Sequence, residues 1–124
     1  MNYIEEIDLG EDGKNPINLL YKDNLLYTVN NKNWDGSSVS IVNPIDAGIQ
    51  TVDLSNVSSG CGVSIIRGEE LCYQISSSDQ VYKLSLDDLN VSGLVENLNY
   101  NYYTMNIDPI NNYLYASVAN FISS

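Results

Sequence analysis

Residues able to do chemistry concentrate in one short stretch, Asn31-Lys-Asn-Trp-Asp-Gly36, with oxygen donors on alternate positions ahead of a glycine. That spacing resembles the opening of a calcium loop, in which side-chain oxygens at every second residue converge on one cation. The bidentate glutamate that closes such a loop is missing downstream, and an ordinary Asp-Gly turn is the better reading. A second group, Asp8, Glu11 and Asp12, gathers carboxylates that would suit a metal or a general acid–base pair if shielded, but carboxylates in a turn are usually solvated. The sequence contains no histidine, so these residues build no imidazole base, no imidazole metal ligand and no Ser-His triad. Neither a metal nor a cofactor is expected.

Aromatic side chains offer a different chemistry. Trp34, the only tryptophan, stands among Asn31, Asn33 and Asp35, and Tyr100 and Tyr102 sit in a second polar stretch. Rings beside hydrogen-bonding groups suit a flat polar ligand such as a sugar, a peptide or a macrocycle, because they provide area at little entropy cost. The alternative is that Trp34 packs down on its own loop and the tyrosines plug the neighbouring sheet. Asn56-Val-Ser58 and Asn90-Val-Ser92 match the glycosylation sequon, a match that chance supplies readily in a chain rich in Ser and Asn.

The elements that must position these residues are strands. Pro16 to Val29 reads as a hairpin, two apolar β-prone runs, Ile17 to Tyr21 and Leu25 to Val29, around a polar Lys22-Asp23-Asn24 turn. It recurs as Val63 to Ile75 and again as Met105 to Ser117, and superposing Tyr27, Tyr73 and Tyr115 gives steps of 46 and 42 residues. Periods of about 40–45 residues are those of propeller blades. The first full unit, 16–54, supplies strands Ile17 to Tyr21, Leu25 to Val29, Val39 to Val42 and Ile49 to Leu54. The second, 61–98, supplies Val63 to Ile66, Leu71 to Ile75, Val81 to Leu86 and Leu94 to Leu98, with Asp87 to Gly93 as its last turn. Residues 1–10 read as the last strand of a preceding blade, Asn2 to Leu9, and 103–124 as an incomplete blade with strands Tyr103 to Ile107 and Tyr113 to Val118.

The expectation is an all-β fold of four-stranded antiparallel blades, about two and three-quarters of them, in a single partial β-propeller domain over 1–124. Runs such as Leu19-Leu20-Tyr21 and Ile65-Ile66 are apolar on both faces, so the inner strands should be covered on both sides, as stacked blades would do. On this layout the loop Asn30 to Ser38 and the stretches Ser55 to Gly62, Ser76 to Gln80 and Asn99 to Tyr102 share one rim, with Glu11 to Asn15 beside them. Cys72 falls opposite Ile65 across its hairpin, four residues from the place of Cys61, too far for a disulfide. Both thiols are expected free.

Sixteen acidic against five basic residues give a formal charge of −11, which repels phosphates and anionic surfaces and argues against nucleic acid as a partner. No run has the roughly 18 apolar residues of a membrane span, and the first residues lack the basic and apolar parts of a signal peptide. Met1 directly before a strand-like segment looks like a cut.

Several of these segments resemble the YVTN-repeat β-propellers of bacterial cell envelopes. Leu26-Tyr27-Thr28-Val29-Asn30 is similar to that family's Leu-Tyr-Val-x-Asn strand, Val39-Ser40-Ile41-Val42-Asn43 to its Val-Ser-Val-Ile-Asp strand, and Ile7-Asp8-Leu9-Gly10 with Pro16 to its blade junction. The resemblance covers almost the whole chain. It departs at Cys72-Tyr73-Gln74-Ile75 and Gly60-Cys61-Gly62, and the third unit lacks the junction proline. It implies a funnel of about seven blades, often on exported or outer-surface lipoproteins that hold small molecules, peptides or glycans. Some similar propellers capture corrinoids, for which no contact residue can be matched here.

The function expected is therefore a non-catalytic ligand- or protein-binding module of a bacterial cell envelope, contacting its ligand through Trp34, Asn31, Asn33, Asp35, Tyr100 and Tyr102. The alternatives are a piece of a propeller enzyme, lactonase or quinoprotein-like, with its catalytic groups in absent blades, or a pure interaction scaffold. Fewer than the four blades that closure needs are encoded. The open ends are expected to be covered by self-association or by the remainder of a larger propeller.

Overall fold

The structure, a computed structural model, describes residues 6–54, 62–75, 81–93 and 102–118, with the backbone alone for Gly62, Ile75, Gly93, Tyr102, Tyr103 and Val118. It is all-β: among the described residues there are ten strands, two short 3₁₀ turns and no α-helix. Strands β1 (Pro16–Lys22), β2 (Leu25–Asn30), β3 (Ser38–Asn43) and β4 (Gly48–Asp53) form one antiparallel meander. A second meander comprises β5 (Gly62–Arg67), β6 (Glu70–Ile75), β7 (Val81–Ser85) and β8 (Val91–Gly93). Strands β9 (Tyr102–Asp108) and β10 (Tyr113–Val118) pair as a hairpin.

Turn chemistry fixes each register. Lys22 pairs with Leu25 across Asp23 and Asn24, both left-handed (φ 50° and 64°), which gives the mirror-image two-residue turn whose twist matches its strands. Gly68 (φ 57°) opens the equivalent turn between Arg67 and Glu70. In the third hairpin Asp108 pairs with Tyr113 across a longer turn, and its carboxylate accepts from the Ile110 N–H (2.9 Å) and Asn111 Nδ2 (2.7 Å).

Aligned on these turns, Leu25, Glu70 and Tyr113 are equivalent, and so are Tyr27, Cys72 and Tyr115, at steps of 45 and 43 residues. This corrects the alignment of Tyr27 with Tyr73 by one residue, and a one-residue slip exchanges the two faces of a strand. Tyr27 and Tyr73 point at the same junction from opposite sides. Leu25, Tyr27, Val29, Val39 and Ile41 of the first sheet meet Ile66, Leu71, Tyr73 and Leu84 of the second, with Leu54 inserted. From the other face of the second sheet, Ile65, Cys72 and Val81 meet Met105, Leu114 and Ala116 of the hairpin. The second sheet is thus covered on both faces, as its doubly apolar run Ile65-Ile66 requires, whereas Leu19-Leu20-Tyr21 of the first sheet, expected to be covered likewise, is covered on one face and leaves Leu19 and Tyr21 exposed on the other. The first strands lie together, β1 beside β5 and β5 beside β9, so the three sheets fan out from a shared line. Asn18 Nδ2 donates to Ser64 Oγ (2.7 Å) and Lys22 pairs with Glu69 (2.9 Å) across the first junction.

The outer face of the first sheet is divided. Thr28, Asn30, Ser38 and Ser40 are buried there as a hydrogen-bonded set: Asn30 Nδ2 donates to Ser38 Oγ and Ser40 Oγ (both 3.0 Å) and its Oδ1 accepts from Thr28 Oγ1 (2.9 Å). Ser38 Oγ donates onward to the Asp12 carbonyl, tying the 3₁₀ turn Glu11–Gly13 down onto the sheet. Toward the β1–β2 turn the same face is open, with Leu19 and Tyr21 in solvent.

Two elements differ from expectation. Glu6 to Leu9, the described part of the strand expected over Asn2 to Leu9, is not a strand; Asp8 Oδ1 accepts from the Gly10 N–H (2.9 Å) and turns the chain instead. The last strand of the second sheet begins at Val91, within what was expected to be a turn, because Leu89 adopts a left-handed conformation (φ 59°) and Ser85 N–H bonds the Asn90 carbonyl (3.0 Å), closing the turn early. The strand expected over Leu94 to Leu98, and Cys61, lie outside the described residues. Cys72 is buried opposite Ile65 and is a free thiol.

Candidate functional site

The loop between β2 and β3 carries Trp34, and its shape follows from local backbone chemistry. Lys32, Asn33 and Trp34 are all left-handed (φ 48°, 55° and 71°), a costly run for residues with a β-carbon. It is held by a dense set of hydrogen bonds. Asn31 Oδ1 accepts from the Asn33 N–H (3.1 Å) and from Asn15 Nδ2, the Trp34 N–H bonds the Asn31 carbonyl (2.8 Å), and the Asp35 N–H bonds the Lys32 carbonyl (3.2 Å). Below, Asn31 N–H and Lys32 N–H bond the carbonyls of Asn15 and Lys14 (3.1 and 3.0 Å). Lys32 Nζ reaches Asp53 (3.7 Å) at the end of β4.

The indole stands on top of this base with 64% of the residue exposed. It is not packed down on its loop. Asn33 and Asp35, on either side of it in sequence, are exposed as well. Asn31 sits differently: it is buried, with its carbonyl oxygen spent on the loop itself, so it positions the exposed residues from beneath. Tyr100 lies outside the described residues. Tyr102 is the first residue of β9 rather than a loop residue, its backbone opposite Val118.

Glu11 to Asn15 was expected beside this rim, but the part Asn15 plays in gripping Asn31 was not legible. Asn15 combines a left-handed backbone (φ 56°) with a side chain and a carbonyl that both grip Asn31, and the signal for it was the Asn15-Pro16 dipeptide, which favours a turn there. Beside it an open cleft of ≈ 520 Å³ runs along residues 6–16, lined among others by Asp8, Leu9, Lys14 and Asn15. Of the stretches expected on one rim only 30–38 is described in full, and 11–15, expected beside it, abuts the Trp34 loop. Residues 55–61, 76–80 and 99–101 lie outside the described residues.

The acidic residues do not gather into a centre. Asp8 caps Gly10, Glu11 pairs with Lys14, and among the described residues no group of His, Cys, Asp or Glu side chains is placed to hold a metal. The titrating groups that are displaced lie elsewhere and have structural causes. Burial pushes the Tyr73 phenol well above its ordinary value, with Tyr82, stacked at 5.6 Å, adding to it. Lys83 and then Arg67 hold the Glu70 carboxyl below the usual range. Lys22 is raised by Asp23 and Glu69.

In comparisons with known proteins, no family model, no curated protein and no solved structure matches this chain. No helix among the described residues is long and apolar enough to cross a membrane.

Proposed function

We propose that this chain is a non-catalytic binding module, built from blades of the β-propeller kind, that takes a small polar ligand, a glycan or a peptide on the rim carrying Trp34. The observation that supports it most is an exposed indole on a loop whose strained backbone is over-determined by hydrogen bonds. Strain of this sort, about 1–3 kcal/mol per residue, persists where the surroundings fix it and is commonest at ligand sites. A ring held rigid before contact loses little entropy on binding. Asn33 and Asp35 supply hydrogen-bonding groups at its edge. The fan of sheets with their first strands together supports the propeller reading, and the resemblance to envelope propellers supports a place on the bacterial cell surface, within a larger assembly of blades.

Because Trp34 is the only tryptophan, its fluorescence, excited at wavelengths the ten tyrosines do not absorb, reports from the site alone. Titration with maltoheptaose, chitotetraose and a set of tripeptides should give a saturable change in emission for at least one of these classes. Trp34→Ala, followed by calorimetry with that probe, should weaken binding at least tenfold, about 1.4 kcal/mol, while the urea midpoint stays within error. A lowered midpoint with binding untouched would show that the ring is a packing element, and silence across all three classes would remove the site.

A further inference from the structure

We infer that copies of this chain join head to tail, the open face of the β9–β10 hairpin of one copy seating on the open part of the outer face of the β1–β4 sheet of the next. This goes beyond the ligand site and uses no part of it. The positions held by Leu25 and Tyr27 in the first sheet face the second sheet, and Tyr27 is 5% exposed. Cys72, equivalent to Tyr27, faces the hairpin. In the hairpin the same positions are Tyr113 and Tyr115, and they face solvent, 62% and 59% exposed.

The opposite face repeats the pattern. Ile66 and Leu71 of the second sheet pack on the first sheet, and Leu114 of the hairpin packs on the second. Their equivalents in the first sheet include Tyr21 and Leu26, and there Tyr21 is 65% and its neighbour Leu19 62% exposed. Each copy therefore ends in one face of each kind, and the junction that would mate them already occurs twice within the chain. Both open patches lie at the turn ends of their strands, so they meet in the register of the internal junctions.

A second copy fits these faces for an electrostatic reason too. In a chain of net charge −11, the hairpin face presents Thr104, Asn106 and Ser117 beside its tyrosines, and the sheet patch presents Leu19, Tyr21 and Ile49. The hairpin face carries one carboxylate, Asp108 opposite Tyr113, and it is already bonded within its own turn. Two patches this poor in charge on an acidic molecule can approach where the rest of the surface repels. The contact is heterologous, because the surface given differs from the surface received.

Sedimentation velocity over a concentration series into the tens of micromolar tests the proposal with two variants, Tyr115→Glu on the hairpin and Tyr21→Glu on the sheet. The parent chain should associate further as concentration rises. Each variant alone should be monomeric, having one face blocked in every copy. Mixed in equal amounts, they should form a one-to-one dimer and nothing larger, since one supplies an intact hairpin face and the other an intact sheet face. A parent chain that stays monomeric would overturn the proposal and leave the faces to further sheets of a longer protein. So would a mixture that stays monomeric, or a Tyr21→Glu variant that associates like the parent. Circular dichroism confirms that each variant is folded, and Tyr115→Ser and Tyr21→Ser replace any that is not.

Discussion

Glu70 stands at the first position after its turn, equivalent to apolar Leu25, and its carboxylate is held by Lys83 (2.9 Å) and Arg67 (3.0 Å). Since these partners lower its pKa in the folded state, its contribution to stability is complete above the unfolded value of about 4.3 and disappears as pH falls through the folded value. Glu70→Gln should therefore be less stable than the parent at pH 7, by about 0.5–1 kcal/mol for a partly exposed cluster. The difference should close toward pH 3. Urea midpoints at the two pH values check this, and a gap that is unchanged on acidification would mean that the lost packing, not the charge, was responsible. Asp108 is lowered by its own turn, through Asn111 and the Ile110 N–H, and titrates in the same direction.

At the scale of elements, the segment 6–14 packs on the first sheet's outer face, and Gly13 is what lets it lie so close. A β-carbon at Gly13 would stand 2.5 Å from Leu9 Cβ and 2.9 Å from Ser40 Oγ. Gly13→Ala should cost about 1–3 kcal/mol, the usual range for overpacking, read as a lower urea midpoint; a midpoint within error of the parent would show that the segment shifts freely. Little of this docking was legible, because Asn2 to Leu9 alternates like a strand and nothing in its composition says whether a neighbour is there to pair with it. The hairpins were legible. Asp23-Asn24 and Gly68 are residues that tolerate left-handed backbone, and apolar runs flank both turns. What the residues hid was which face each strand turns inward: runs apolar on both sides align equally well in two registers one residue apart, and the tyrosines favoured the wrong one. Leu89 could not be foreseen as a left-handed residue, since an apolar side chain gives no such signal, and it moved the last strand of the second sheet. At the site, Trp34 was readable from its rarity and its loop, whereas Asn31 as a support and Asn15 as its partner depend on a contact between segments sixteen residues apart.

For the whole molecule, charge and shape act against each other. Copies carrying −11 each repel when the Debye length is about 30 Å, at 0.01 M salt, and far less when it is about 8 Å, at 0.15 M. Association through faces poor in charge should therefore strengthen as salt is added, the reverse of a contact held by ion pairs. Sedimentation at the two ionic strengths distinguishes these directions, and weaker association in the higher salt would point to ion pairs as the glue. One buried atom gives this architecture a further property. The Cys72 sulfur is sealed between the second sheet and the hairpin, and burial raises its pKa, so its nucleophilic form is suppressed while the junction is shut. A thiol reagent reaches it only when the hairpin lifts away, an excursion that need not unfold the first sheet. Its rate of modification is thus a stopwatch on the opening of that one junction.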